Sequence, residues 1–417
     1  MSKMNIRRGA MGALALTAAV SLALSGCARG GDNGGETASS PGITDDSVLI
    51  GTTTSLSGVA GAPGTCSQKG FEAFFESANA DGGIKFGDGK TRKVNTKVLD
   101  DAYDPAKAVS NFRQLINDGM FANAGNLGTR TNLAIMPVAA SEKVPQIFVL
   151  SGNTGFSSDQ KANPWTLGWQ PTYYNEGNAF GKFIAESGKP LTVAALYQND
   201  DFGEDYMSGL KDAIEGSDVK IVAEATYEAN DATVDAQMAR LAESKADVFF
   251  NANSVTKLTA SSLIRAQQLG WLPQVFLPSV SSQKSEVLDP GNAYVFPKVY
   301  TTAFSKAVGD PQYANDEDMK KFLDDMKKYS PEITQIIPHC TWGYGLAATL
   351  AKAFEGMKEP TRDALMDAIH NMGKQEIPLL LPGLVVDPGE GHAPINATKV
   401  SGLNADKAFE PLEQYSE

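Results

Sequence analysis

Cysteine and histidine are both scarce, with three of each in 417 residues. His339, His370 and His392 are scattered and show none of the short spacings that bring ligands together around a metal. No GxSxG nucleophile turn and no GxxxxGK[ST] phosphate loop occurs, and the glycine-rich Gly58–Gly64 stretch lacks a phosphate-binding lysine. The pairs Asp100-Asp101 and Asp200-Asp201 are adjacent, so in extended chain their carboxylates point to opposite faces and do not form an acid–base couple. These gaps exclude the common enzyme classes and leave no motif for a cofactor. Basic charge is also in deficit, with 36 Lys and Arg against 49 Asp and Glu and a net charge of −13. No basic stripe exists to neutralise phosphates, so nucleic acid is not expected as a partner.

Long hydrophobic runs are missing too. Lys3, Arg7 and Arg8 precede an apolar stretch from Met11 to Leu24, which is too short to span a bilayer comfortably. Residues 1–26 therefore read as an export signal. Leu24-Ser25-Gly26-Cys27 resembles a bacterial lipobox, which implies cleavage before Cys27 and a diacylglyceryl thioether on its sulfur. Residues 27–45 then read as a lipidated tether, rich in Gly, Ser, Asp and Asn, holding the protein at the outer face of the cell membrane. Two cysteines remain, Cys66 and Cys340. In an oxidising compartment they are either a disulfide or two buried thiols, and the even count favours the bridge.

What is present in abundance is alternation. Val48–Gly51 is a short β-branched run. A loop of small residues from Thr52 to Thr65 follows, then a helix with Phe71, Phe74, Phe75 and Ala78 on one face. Strand, glycine-rich loop and helix place that loop at the carboxyl edge of a parallel sheet, where ligands bind. Ser55, Ser57 and Gly58 are its candidate contacts. Lys93–Leu99 is a second strand, and Asp104-Pro105 starts the next helix as cap and first residue. Strands at Phe121–Ala124 and Pro145–Leu150 end in the polar loops 125–131 and 151–154. Trp165–Trp169 is an edge strand leaving this lobe.

A second series follows, with strands at Leu191–Tyr197, Val219–Tyr227, Asp247–Ala252 and Gln274–Pro278. Ser254 is expected to cap the helix that Gly270 ends. Tyr294–Thr302 crosses back, three helices follow, and residues 379–386 cross a third time, leaving a short tail. The expected fold is α/β: two three-layer α/β/α lobes with mainly parallel sheets. Lobe I comprises 46–170 and 302–383, and lobe II comprises 171–301 and 384–417.

Several strings recur together and in order. They are Ser55-Leu56-Ser57-Gly58, Asn79-Ala80-Asp81-Gly82-Gly83-Ile84, Asp100-Asp101-Ala102-Tyr103-Asp104-Pro105, Val193 to Gly203, and Trp342-Gly343-Tyr344 through Leu380-Leu381-Pro382-Gly383. The set resembles the leucine/isoleucine/valine-binding type of solute receptor for ABC importers, with the type I periplasmic-binding fold. The resemblance implies two lobes joined by three crossovers and closing on a small molecule. It implies a permease and ATPase complex as partners. A ligand carboxylate would meet Gly128, Thr129, Gly152, Asn153 and Thr154, with Arg130 available to pair with it. Phe202 would cover the apolar body, and Tyr173, Trp165 and Trp169 near the first crossover would suit a flat ligand. Asn253 and Ser281 complete the implied contacts. Relatives that bind amino acids place a glutamate where this chain has Ser279-Val280-Ser281-Ser282, so an α-ammonium would lack its counter-charge unless Asp200 or Asp201, read here as turn caps, takes that place. An aromatic or other organic acid is the alternative to a branched-chain amino acid. A ligand-sensing lipoprotein of the same fold, signalling to a membrane partner, is the alternative to transport.

Overall fold

A computed structural model describes residues 39–413 other than 159 and 390. The export signal, Cys27, most of the tether and the last four residues lie outside the described residues.

The first half of the chain alternates strand and helix as its pattern dictates. It runs β1 (Ser47–Thr54), α1 (Gly61–Ala80), β2 (Ile84–Lys85), β3 (Thr91–Asp100), α2 (Pro105–Asn117), β4 (Ala122–Ala124), α3 (Thr129–Glu142), β5 (Gln146–Val149) and β6 (Thr166–Gly168). These strands form a six-stranded sheet in the order β2-β3-β1-β4-β5-β6, parallel except for β2. The chain then passes to α4 (Tyr173–Ala185), β7 (Thr192–Gln198), α5 (Asp201–Ile214), β8 (Lys220–Tyr227), α6 (Asp235–Glu243), β9 (Val248–Ala252), α7 (Thr256–Gln268), β10 (Gln274–Phe276) and β11 (Val299–Ala303). It returns for α8 (Glu317–Tyr329), α9 (Pro338–Gly356) and α10 (Arg362–His370), and crosses again to β12 (Lys399–Leu403) and β13 (Phe409–Pro411). The second sheet has seven strands in the order β13-β12-β11-β10-β9-β7-β8. β12 pairs antiparallel with β11, and β13 antiparallel with β12, so the expected tail is part of the sheet.

Local chemistry sets the helix ends. Asp104 accepts a hydrogen bond from Lys107 N with Pro105 at the first position, as its sequence requires. Asp200 and Thr172 likewise cap α5 and α4. The expected cap at Ser254 is corrected: α7 starts at Thr256, and Ser254 Oγ turns away to Gln198 Oε1. The loop expected over 52–65 is shorter, because β1 extends to Thr54 and α1 begins at Gly61. The tether also ends earlier than expected. Ile43 is buried in the first half's core, and Ser40 N donates to Pro360 O.

Helices α1 and α9 lie against each other at backbone distance. A Cβ on Gly343 would sit 1.8 Å from Ser67 O, and one on Gly70 would sit 2.0 Å from Cys340 O. Only glycine permits that approach. Cys66 on α1 and Cys340 on α9 are joined by a disulfide across 274 residues of sequence, with Cα atoms 4.5 Å apart. Among the described residues no helix is long and apolar enough to cross a membrane.

Candidate functional site

The loops at the carboxyl ends of β3, β4 and β5 face those of β7, β9 and β10, and a cavity lies where they meet. Counted with its open mouth, it holds about 480 Å³ of empty space. From the first half come Ala60 and Pro63 near the start of α1, Leu127, Gly128 and Thr129 at the start of α3, and Leu150 after β5. His339 and Trp342 on α9 close one wall, and Gln170 lies at the first crossover. Tyr173, Phe202, Ser254 and Val280 contribute from the second half. Among the described residues, none that lines it is an aspartate, glutamate, lysine or arginine.

The polar end is the start of α3. Gly128 holds φ +114° there, and the N–H groups of the following turn have no intrahelical partner. Thr129 Oγ1 and Ser151 Oγ lie 2.9 Å apart beside them, both buried. A helix N-terminus flanked by hydroxyls suits a carboxylate oxygen without a buried cation. The opposite wall is aromatic. Tyr173 packs edge-on to Phe202 with ring centroids 4.6 Å apart, and stacks on Tyr206 at 4.9 Å.

Tyr103 joins the two halves. It leaves the end of β3 yet is buried in the apolar cluster of the second half, with Leu196, Tyr227 and Val255. Ala102 and Tyr103 both take left-handed backbone, with φ of 52° and 62°. Paired carboxylates hold that turn: Asp100 Oδ1 accepts from Ala102 N and Asp101 Oδ1 from Tyr103 N, each at 2.8 Å. Burial works against Asp100, but hydrogen bonds from Ser57, Ala102 and Leu56 bring its pKa down to about 2. Asp101 is more deeply enclosed, and burial pushes its pKa up despite bonds from Tyr103 N, Ser55 and Thr53.

This network relocates several expected contacts. Ser55 Oγ donates to Asp101 at 3.0 Å and Ser57 Oγ to Asp100 at 2.6 Å, so both serve the Tyr103 turn and neither lines the cavity. Gly58 packs against Ala102 O in the same region. Arg130 is also redirected. Its Nε and Nη2 donate to Tyr103 O at 3.2 and 2.9 Å, and its guanidinium lies over the Tyr103 ring. Gly152 lies behind Tyr173, where a Cβ would come within 2.5 Å of Pro171 O. Asn153 and Thr154 reach across to the second half instead. Asp205 Oδ2 on α5 accepts from Thr154 N at 2.6 Å, Thr154 Oγ1 at 3.0 Å and Asn153 Nδ2 at 3.1 Å. Burial raises the Asp205 pKa to about 6, with the Thr154 bonds opposing it.

Ser281 Oγ donates to Asn253 O behind the wall, and Asn253 Oδ1 accepts from Val255 N, so these two brace the loop after β9. Trp169 packs in the core with its Nε1 on Thr349 Oγ1, and Trp165 packs against the same cluster. Of the expected contacts, the cavity brings together Gly128, Thr129, Tyr173 and Phe202.

The missed lining residues include Tyr103, Gln170, His339 and Trp342. Tyr103 and Trp342 stand in the strings that carried the resemblance, which was the available signal. Gln170 and His339 had none. Glu176 was missed as well. It is buried on α4 and accepts from Tyr206 Oη at 2.8 Å, Ser279 Oγ at 2.8 Å, Ser279 N at 3.2 Å and Thr302 Oγ1. Burial raises its pKa, and its acceptor capacity goes to the surrounding protein.

Two mixed, mostly parallel sheets with a neutral cavity between their strand-end loops describe a receptor architecture. The chain belongs to the periplasmic binding protein family, whose model matches residues 47–408. It is 24% identical over 211 residues to the leucine-specific-binding protein of Salmonella typhimurium, an alignment covering 51% of this chain and 55% of that protein. The chain thus spans about half the length of the curated relatives it matches. Among solved structures, a fatty acid ABC transporter substrate-binding protein from Thermomonospora curvata superposes with a TM-score of 0.77 at 21% identity, covering 91% of this chain and 95% of that one. A branched chain amino acid ABC transporter protein from Thermus thermophilus with bound valine gives 0.74 at 16% identity, covering 88% and 96%. At these identities the structures establish the shared fold, type I periplasmic-binding, rather than a shared ligand.

Proposed function

We propose that the protein is an exported solute receptor, lipid-anchored through Cys27, that captures a small carboxylate between its two halves and delivers it to an ABC permease and its ATPase. The observation that carries this reading is the make-up of the cavity. A helix start and the Thr129 hydroxyl, with Ser151 hydrogen-bonded behind it, form one end, apolar side chains form most of the body, and among the described residues no ionised group lines it. A carboxylate has donors there. An α-ammonium has no carboxylate to face, and leaving it unpaired in a buried site costs several kcal/mol. The solute is therefore an organic monocarboxylate with an apolar body rather than an amino acid. The named ligand of the Thermomonospora relative, a fatty acid, is of this kind.

Both halves contact the solute, so binding favours the joined form over an opened one. A thermal-shift screen tests the reading. Leucine, valine and phenylalanine are compared with aromatic and medium-chain acids. At a hundredfold excess over Kd a true ligand adds about 2.7 kcal/mol of stability. The acids are expected to raise Tm and the amino acids are not. A strong shift by leucine or valine with none from the acids would overturn it.

A further inference from the structure

Two polar side chains on the cavity wall lack partners. Gln170 Nε2 and His339 Nδ1 are both buried and make no hydrogen bond among the described residues. Both residues line the cavity, and each is less than 4% exposed. A buried donor or acceptor left without a partner is costly, and native structures leave few of them. Neither residue is on α3. Gln170 sits at the first crossover, and His339 stands on the first turn of α9 with its ring 4.4 Å from that of Trp342.

Given carboxylate capture as proposed above, we propose that the solute bears a second, neutral polar group, a hydroxyl, and that Gln170 and His339 are the residues that select it. The group has to be neutral because no ionised side chain among the described residues lines the cavity. Burial also holds the His339 pKa down to about 3, so the imidazole is uncharged at neutral pH. A neutral imidazole nitrogen is a donor in one tautomer and an acceptor in the other. The amide Nε2 only donates. A hydroxyl suits either residue, since it can accept from Gln170 and can donate to or accept from His339. The class defined is a hydroxy acid with an apolar skeleton.

Isothermal titration with two matched pairs tests this on the intact mature protein: 4-hydroxyphenylacetate against phenylacetate, and 8-hydroxyoctanoate against octanoate. Wild type is expected to bind at least one hydroxy acid tenfold or more tightly than its partner, the factor set by a polar group left unpaired. In His339→Phe, which keeps a ring against Trp342, and in Gln170→Leu, that preference is expected to fall to within threefold. Wild type binding both members of each pair equally overturns the proposal, whatever the variants do. A preference that survives in both variants overturns the assignment to these residues. Binding by none of the four acids overturns the carboxylate reading itself and this proposal with it, so the two failures are distinguishable.

Discussion

Tyr103→Ala is the substitution that most directly weakens the union of the two halves. A buried tyrosine removes about 150–250 Å² from water, and at ~25 cal/mol per Å² that is roughly 4–6 kcal/mol. Part of this burial is local, because the Tyr103 ring also touches Arg130 and the Gly128 backbone of its own half. Assigning about half to the second half's cluster leaves roughly 2–3 kcal/mol, which the variant subtracts from joining. Since 1.4 kcal/mol is tenfold, Kd should rise about 30–150-fold. Titration calorimetry with the acid giving the largest thermal shift measures it. Tyr103→Phe keeps the ring but loses the hydroxyl's bonds to Gln198 and the Thr129 N–H, so it is expected to weaken binding by about tenfold at most, less than alanine does. An alanine variant that binds as tightly as wild type would refute the idea that Tyr103 couples the halves.

Three further outcomes follow from the same structure. Gly343→Ala forces a Cβ to within 1.8 Å of Ser67 O, so α1 and α9 must separate and denaturant unfolding should show a loss of about 1–3 kcal/mol. Replacing Cys66 and Cys340 together by Ala should lower stability by about 2–5 kcal/mol, and mass spectrometry of the unreduced wild type should show no free thiol at either position. Asp205 supplies a pH dependence. Its pKa is raised to about 6 where the halves meet, against an ordinary value of 3.8. The joined form therefore holds this proton more tightly, so the linkage favours it fully below about pH 4 and fades as pH rises through about 6. Affinity should strengthen on going from pH 7 to pH 5, and Asp205→Asn should flatten that trend. A profile equally steep in the variant would show that another group titrates.

Much of the fold was legible because the alternation of β-branched runs and helical faces continues through both halves. The Asp104-Pro105 start and the edge position of β6 could be read directly. Strands β12 and β13 could not, since Lys399–Leu403 and Phe409–Pro411 are short and mixed in polarity, and pairing with β11 is what makes them strands. The site was legible only where the main chain defines it, at Gly128 and Thr129, and where large aromatics follow a crossover or cap, at Tyr173 and Phe202. Side-chain direction escaped the sequence. Ser55, Ser57 and Arg130 have the right chemistry in the right loops, but Asp100, Asp101 and the Tyr103 carbonyl claim them. His339 read as a stray histidine because its meaning lies in an unpaired nitrogen inside a cavity, which no spacing encodes.

Small-angle X-ray scattering of the mature protein, with and without a saturating acid, tests the central claim that one solute draws the two halves together. The radius of gyration is expected to be larger without ligand, and the profile with ligand is expected to match the joined halves. An acid that binds measurably while leaving the scattering unchanged would contradict it.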